Sequence, residues 1–152
     1  MEKQIEPERE MTSTAAENHQ FDFWLGEWDL SWGDGQTGSN RVTSILDGRV
    51  IQENFNGQPA MSMNGISLSV YDSSLRKWRQ TWVDIEGTYI DLSGEYKDDQ
   101  MVLLTQRQVG ETTVQYRMVF YNLSTSRFDW NWERSTDGNN WAIAWQIHYQ
   151  RK

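Results

Sequence analysis

One short segment places aromatic rings and hydrogen-bonding groups at alternate positions: Trp78, Gln80, Trp82 and Asp84. In an extended strand these four side chains lie on the same face. A buried amide or carboxylate without a partner costs about 1–3 kcal/mol, so we expect Gln80 and Asp84 to bind protein groups or a polar ligand. In the alternative interpretation, the two tryptophans only fill a core and Asp84 caps the turn that follows.

A second set of aromatic residues is predicted to lie side by side on neighbouring strands: Tyr116, Trp130, Trp132 and Trp145. Such a wall, together with Gln80, Trp82 and Asp84, suits a flat or hydrophobic ligand that has a polar end. The same large rings could instead fill the interior, because Trp is a bulky core residue. Both interpretations stay open at this point.

Few residues offer catalytic chemistry. The chain has no cysteine, and it has neither a Gly-x-Ser-x-Gly elbow nor a phosphate-binding glycine loop. Glu53 and Asp84 are the candidates for general acid–base work, because apolar strand neighbours could raise a carboxyl pKa. The alternative is that Glu53 is a solvated strand residue, as most glutamates are.

Gly, Asn and Asp turn signals separate short segments in which polar and apolar residues alternate, which is typical of antiparallel strands. Nine such signals predict ten strands, over residues 25–33, 38–47, 49–57, 61–71, 76–85, 87–97, 100–109, 112–121, 127–135 and 141–151. Closing the sheet on itself removes its exposed edges. The sequence therefore predicts an all-β fold, an antiparallel up-and-down barrel of about ten strands, with a short helical turn around Gln20 to Trp24. A two-sheet sandwich is the alternative.

The alternation also predicts which side chains face inward. On the later strands these are Val114, Tyr116, Met118, Phe120, Phe128, Trp130, Trp132, Trp141, Ile143, Trp145, Ile147 and Tyr149. On the earlier strands the same rule selects Ile66, Leu68, Val70, Ile90 and Leu92. Arg117 and His148 are assigned to the outer face.

Composition limits the classes of partner. The 152 residues carry a formal net charge of -8, which argues against nucleic acid and anionic membrane surfaces. No apolar run is long enough to span a membrane. Residues 1–20 are acidic, without the features of a secretory signal, so we expect a flexible tail, a cytoplasmic protein and a single domain over residues 21–152.

The motif Gly26-x-Trp28 resembles the one that opens the first strand of lipocalins and related calycin barrels. In those barrels an arginine from the last strand closes the bottom across the tryptophan, which implies that role for Arg151. The wider combination FDFWLGEWD, LDGRVIQENFNG, SVYD and WRQTWVD resembles a bacterial lipocalin-like family of unknown function. The resemblance covers roughly residues 21–96 and implies a fold rather than an activity.

Two related barrel families suggest specific ligands. Fatty-acid-binding barrels hold a carboxylate with arginines and a tyrosine, for which Arg107, Arg117, Tyr149 and Arg151 are the counterparts, but the order Tyr-x-Arg is reversed here. Nitrobindin-type barrels ligate haem through one histidine, yet His148 lies on the predicted outer face. Two histidines without cysteine also argue against a zinc site, so we expect no metal and no cofactor.

Three functions remain compatible with the sequence. The leading hypothesis is a barrel that binds a small hydrophobic or aromatic molecule. The second is a small barrel enzyme, an isomerase or hydrolase that uses interior carboxylates such as Glu53 or Asp84. The third is a filled barrel whose outer face mediates self-association, for example as a homodimer.

Overall fold

The computed structural model describes residues 16–152, and ten strands in chain order make up its sheet. They are β1 (Gly26–Trp32), β2 (Gln36–Ile45), β3 (Val50–Asn56), β4 (Asn64–Asp72), β5 (Lys77–Asp84), β6 (Tyr89–Lys97), β7 (Gln100–Val109), β8 (Thr112–Tyr121), β9 (Arg127–Ser135) and β10 (Ala142–Arg151). The predicted strands are all found, with ends that differ by three residues or fewer. A 3₁₀ turn over Asp22–Trp24 precedes them, as predicted.

Each strand pairs antiparallel with its neighbour in the chain, and β10 returns to pair with β1. The closing register sets Trp28 opposite Arg151 and Leu30 opposite Tyr149. The sheet is therefore a closed up-and-down barrel, which confirms the predicted fold and rules out the two-sheet sandwich. Closure pairs the backbone groups that the two edge strands of an open sheet would expose.

The segment before β1 covers one end of the barrel with aromatic side chains. Phe21 and Trp24 are almost completely buried. The Phe21 ring lies 5.2 Å from Trp78 and 5.1 Å from Phe120, edge to face in both pairs. Trp78 donates its indole N–H to Gln20 at 3.0 Å. These contacts fix the 3₁₀ turn across the end of the barrel where β5 begins and β8 ends.

The residues Gly26, Trp28 and Arg151 form a closing group at the same end. The Arg151 guanidinium lies 4.2 Å from the centre of the Trp28 ring, a cation–π distance. It also donates hydrogen bonds of 2.7 Å to the carbonyls of Leu25 and Thr125. Gly26 has a φ of +131°, and a Cβ there would clash with Arg151 Nη1. The absence of a side chain at Gly26 therefore makes room for the arginine.

The inward face predicted for β4 is wrong. Ile66, Leu68 and Val70 point outward and are 39–45% exposed, whereas Ser67 and Ser69 are buried. The serines face inward because their hydroxyls bond to Glu53 and Gln80, two polar side chains inside the barrel. Strand alternation separates the two faces of β4, but the interior partners decide which of them is buried.

The first part of β10 also departs from the prediction. The register shifts between Ile143 and Trp145, so Ile143 is 56% exposed and does not face inward. Trp141 lies outside, where its ring is 4.1 Å from the Arg117 guanidinium. Beyond the irregularity, Trp145, Ile147 and Tyr149 return to the inner face. A single extra residue in a strand inverts its alternation in this way.

The predicted tail over residues 1–20 falls largely on residues 1–15, which lie outside the described residues. From Ala16 onward the chain forms turns, with hydrogen bonds from His19 N to Ala16 O and from Gln20 N to Glu17 O. The predicted domain boundary stays a prediction. Within residues 16–152, no helix is long and apolar enough to cross a membrane.

Candidate functional site

A cavity of about 270 Å³ lies inside the barrel. Its lining combines aromatic, apolar and acidic side chains: Trp24, Glu53, Phe55, Met63, Trp82, Asp84, Glu86, Thr88, Ile90, Met118, Phe120, Trp130, Trp132, Trp145, Ile147 and Tyr149. Glu86 and Thr88 belong to the exposed turn between β5 and β6, so the cavity reaches the surface there. Trp24 comes from the opposite, covered end of the barrel.

Half of the residues that line the cavity are aromatic. The Trp130 and Trp145 rings meet at 90° with their centres 5.6 Å apart. Phe55 lies 6.0 Å from both Trp82 and Trp145 at steep angles. Edge-to-face pairs of this kind are favourable beyond the area that they bury. The rings therefore hold one another in place and leave a space with rigid apolar walls.

Asp84 is bound to the wall and to the turn beside it. Its Oδ2 accepts the indole N–H of Trp82 at 2.9 Å, and its Oδ1 accepts the backbone N–H groups of Glu86 and Thr88. Burial acts to raise the pKa of Asp84, but these hydrogen bonds outweigh it and hold the pKa below its usual value. Asp84 is thus an anion that orients the Trp82 ring. The predicted turn-capping role and the predicted cavity position both apply to it.

Glu53 lies deep in the barrel and is only 5% exposed, so the alternative of a solvated Glu53 is wrong. Ser67 Oγ donates to Glu53 Oε1 and Asn40 Nδ2 donates to Oε2, each at 2.7 Å. Burial raises the pKa of Glu53 to about 7, although the two hydrogen bonds oppose that shift. The carboxyl group therefore changes charge near neutral pH, inside an aromatic cavity.

Tyr149 and Trp24 bring two more polar atoms to this deep end. The Tyr149 hydroxyl accepts the second hydrogen bond from Asn40 Nδ2, at 3.1 Å. Burial, together with the nearby Glu53 charge, raises the pKa of Tyr149 far above its usual value, against the opposing effect of Asn40 and Trp24, so the hydroxyl keeps its proton. Trp24 Nε1 is buried and lies close enough to the Tyr149 hydroxyl to act on its pKa, but it is not in hydrogen-bond geometry with that hydroxyl or with any other acceptor within residues 16–152. Buried donors without a partner are uncommon.

Most of the predicted site residues meet at the cavity. Trp82, Asp84, Trp130, Trp132 and Trp145 all line it. Gln80 is buried but lies outside the lining, and its Nε2 donates to Ser69 Oγ at 2.9 Å. A protein group therefore meets the Gln80 amide nitrogen, whereas Gln80 Oε1 is buried and has no hydrogen-bond partner within residues 16–152.

Tyr116 stands beside the cavity rather than in its lining. Its ring stacks on Trp132 at 5.3 Å with an angle of 12° between the planes, and the Arg107 guanidinium lies 5.5 Å from the Tyr116 ring centre. Tyr116 lines a depression between β6, β7 and β8 that shares Thr88, Ile90 and Trp132 with the cavity. Tyr116 therefore supports the wall through Trp132 without lining the cavity itself.

Several lining residues were not selected from the sequence, among them Trp24, Phe55, Phe120 and Tyr149. Alternation predicts that Phe120 and Tyr149 face inward, but it does not predict how far along the barrel axis they lie. Phe55 shares the inner face of β3 with Ile51 and Glu53, so alternation along β3 could have found it. Trp24 reaches the cavity from a 3₁₀ turn, and no strand pattern could show that.

The residues considered for haem and for fatty acids lie elsewhere. His148 is exposed and its Nδ1 lies 2.6 Å from Asp129 Oδ1 on the outer face. Arg117 bonds to Glu133 outside the barrel, and Arg151 closes the end. Within residues 16–152, no three His, Asp or Glu side chains are grouped so that they could hold a metal ion.

Comparison with known proteins gives a family and no activity. A family model described as a protein of unknown function (DUF1579) matches residues 14–151. No curated protein matches the chain. Because the family model covers nearly the whole chain, the protein belongs to the DUF1579 family of proteins of unknown function.

Proposed function

We propose that the protein binds a small hydrophobic or aromatic molecule inside its barrel, in the manner of lipocalin-like carriers. The ligand lies between Trp82, Trp130, Trp132 and Trp145, and its polar end points to the deep end of the cavity. The cavity of about 270 Å³ supports this proposal most directly, because well-packed interiors leave few voids larger than a water molecule. Concave sites with apolar walls and a few polar groups are typical of small-molecule sites.

The polar end of the ligand is defined by the atoms that meet it. Trp24 Nε1 has a proton to donate and, among the described residues, no acceptor in hydrogen-bond geometry. The Tyr149 hydroxyl accepts from Asn40 and keeps its own proton for donation. A hydroxyl, carbonyl or ether oxygen on the ligand would accept from either group. The favoured ligand is therefore an aromatic or aliphatic body with one oxygen at its deep end.

The proposal is tested with 3-tert-butylphenol, a neutral probe that has an apolar body and one hydroxyl. Calorimetric titration should show saturable binding of one molecule with millimolar or tighter affinity. Ile90→Trp places a large ring at a half-buried position of the cavity wall and should abolish that binding. Ile143→Trp adds the same ring on the outer face, where Ile143 is 56% exposed, and should leave binding unchanged.

Two results would contradict the proposal. One is the absence of saturable binding by the folded wild-type protein. The other is equal binding by wild type and Ile90→Trp, because the probe would then bind outside the cavity. Far-ultraviolet circular dichroism of both variants shows that they retain the barrel.

A further inference from the structure

We propose that the natural ligand of this cavity is an organic cation, a molecule with a quaternary or protonated ammonium group on a hydrophobic body. This inference rests on the proposed function and specifies the charge of its ligand. Three features of the lining carry it: the charged groups, the aromatic faces and the positions of the nearby arginines.

The charged groups of the cavity have one sign. Glu53, Asp84 and Glu86 line it, and none of the lining residues within 16–152 is Lys, Arg or His. Asp84 is held as an anion by Trp82 and the turn beside it. Charges interact more strongly in a cavity with apolar walls than in water. The interior therefore attracts cations and repels carboxylates.

The aromatic wall also favours a positively charged ligand. Eight of the sixteen lining residues are Trp, Phe or Tyr. The face of an aromatic ring carries partial negative charge, and Trp attracts an ammonium group most strongly. Because the Trp130 and Trp145 rings stand at 90° to each other, they enclose the cavity from two directions. Recognition of quaternary ammonium groups commonly combines such rings with a carboxylate.

The arginines that could neutralise an anionic ligand are engaged elsewhere. Arg117 pairs with Glu133 at 2.6 Å and lies over Trp141, outside the barrel. Arg107 lies over Tyr116, in the depression beside the cavity, and is not part of the cavity lining. Arg151 bonds to the backbone at the closed end. A fatty acid would thus bring its carboxylate into a cavity that offers it no cation.

The charge of Glu53 makes this preference depend on pH. Glu53 meets Asn40 on β2 and Ser67 on β4, which carry no charge. Tyr149 on β10 also lies nearby and keeps its proton, and Asp84 and Glu86 are the other carboxylates of the cavity. Because burial raises the pKa of Glu53 to about 7, the carboxyl group ionises as the pH rises through neutrality. A cation should then bind more tightly.

The test compares two probes of nearly the same shape, 3-methoxyphenyltrimethylammonium and 3-tert-butylanisole. Both carry an ether oxygen that can accept a hydrogen bond from Trp24 and that does not ionise, so at every pH they differ only in the charge of the ammonium group. At about pH 8, calorimetry should show that the cation binds wild type at least about tenfold more tightly than the neutral probe. At about pH 5.5, where Glu53 is protonated, the ratio should fall several-fold.

Two variants separate the role of Glu53 from that of surface charge. Glu53→Gln removes the buried charge, and it should reduce the ratio at about pH 8 to the value of wild type at about pH 5.5. Glu111→Gln removes one charge from the exposed turn between β7 and β8 and should leave the ratio unchanged. If Glu53→Gln fails to fold, the pH series on wild type measures the same effect.

The outcomes separate the two proposals. If the neutral probe binds as tightly as the cation, or more tightly, the inference of a cationic ligand is wrong and the binding function stands. If the cation is preferred equally at both pH values and in Glu53→Gln, Asp84 and the aromatic wall select the cation, and the pH dependence assigned to Glu53 is wrong. If neither probe saturates wild type, the proposed function itself is contradicted.

Discussion

Asn40 donates hydrogen bonds from one side-chain nitrogen to both Glu53 and Tyr149, at 2.7 Å and 3.1 Å. This amide joins β2 to β3 and β10 across the inside of the barrel, so it holds a carboxyl group and a phenol at the deep end of the cavity. Ser67 holds the other carboxyl oxygen from β4. The position of Glu53 is therefore set by its two neighbouring strands, β2 and β4, before any ligand binds.

Burial of Glu53 predicts a fall in stability as the pH rises. The folded state binds the Glu53 proton more tightly than the unfolded chain, because the pKa is raised from 4.5 to about 7. The free energy of unfolding should thus decrease between about pH 4.5 and about pH 7, by about 3 kcal/mol in all. Carboxylates with a lowered pKa, such as Asp84, act in the opposite direction at lower pH.

Urea denaturation between about pH 5 and about pH 8 measures this dependence. Glu53→Gln should flatten the curve and should be more stable than wild type at the upper end of the range, because the amide needs no ionisation. Glu111→Gln provides the control and should keep the slope of wild type. The same slope in wild type and Glu53→Gln would show that Glu53 is not the titrating group.

The closing group predicts a steric effect at Gly26. An alanine Cβ at Gly26 would clash with Arg151 Nη1 and displace the guanidinium from Trp28. We expect Gly26→Ala to lower the free energy of unfolding by about 3 kcal/mol, from backbone strain and steric crowding together. Gly35 has a φ of +73° with no atom within 4 Å of the added Cβ, so Gly35→Ala should cost about 1 kcal/mol. Equal losses from Gly26→Ala in wild type and in an Arg151→Ala background would contradict the steric role of Arg151.

Asp84 should affect ligand binding through Trp82. Asp84→Ala removes the acceptor of the Trp82 indole N–H, which frees a ring of the cavity wall. We expect the affinity for neutral 3-tert-butylphenol to fall by roughly tenfold, because the ring is no longer held in its bound position. The neutral probe excludes a direct effect of the lost charge.

Asp72 offers the matched control for that experiment. Its Oδ1 accepts the backbone N–H groups of Ser74 and Leu75, so it caps a turn as Asp84 does, but it does not line the cavity. Asp72→Ala should lower stability in a similar way and leave the affinity for the probe unchanged. An equal loss of affinity in both variants would assign the effect to the turns rather than to Trp82.

Much of the fold could be predicted from the sequence because strand alternation and turn residues are local signals. The two-residue spacing of Trp130 and Trp132 indicates a strand, and the nine turn signals predict a sheet that closes on itself. The Gly26-x-Trp28 motif indicates where the sheet closes. The sequence could not predict which of the two faces of β4 points into the barrel. The aliphatic residues of β4 look like a core face, whereas Ser67 faces inward because it bonds to Glu53, which lies opposite it on β3.

The candidate site was predicted only in part for a similar reason. Trp82, Asp84, Trp130, Trp132 and Trp145 follow from alternation, since each lies on an inner face near one end of the barrel. Gln80 shares the face of Trp82 but lies at a different depth along the barrel, where it donates a hydrogen bond to Ser69. Depth depends on strand register and on the tilt of the strands, which composition and spacing do not contain. Trp24 depends on the fold of the segment before β1.

The indole N–H signals of the nine tryptophans offer the most direct measurement of the central claim, that the barrel holds a ligand among its tryptophans. A ¹⁵N-edited NMR titration with 3-tert-butylphenol resolves them, once each is assigned by single Trp→Phe variants. The signals of Trp82, Trp130, Trp132 and Trp145 should shift together, and that of Trp24 should move downfield as it gains an acceptor. Trp141, on the outer face, should not shift. Shifts confined to Trp141, or none at all at saturating probe, would contradict that claim.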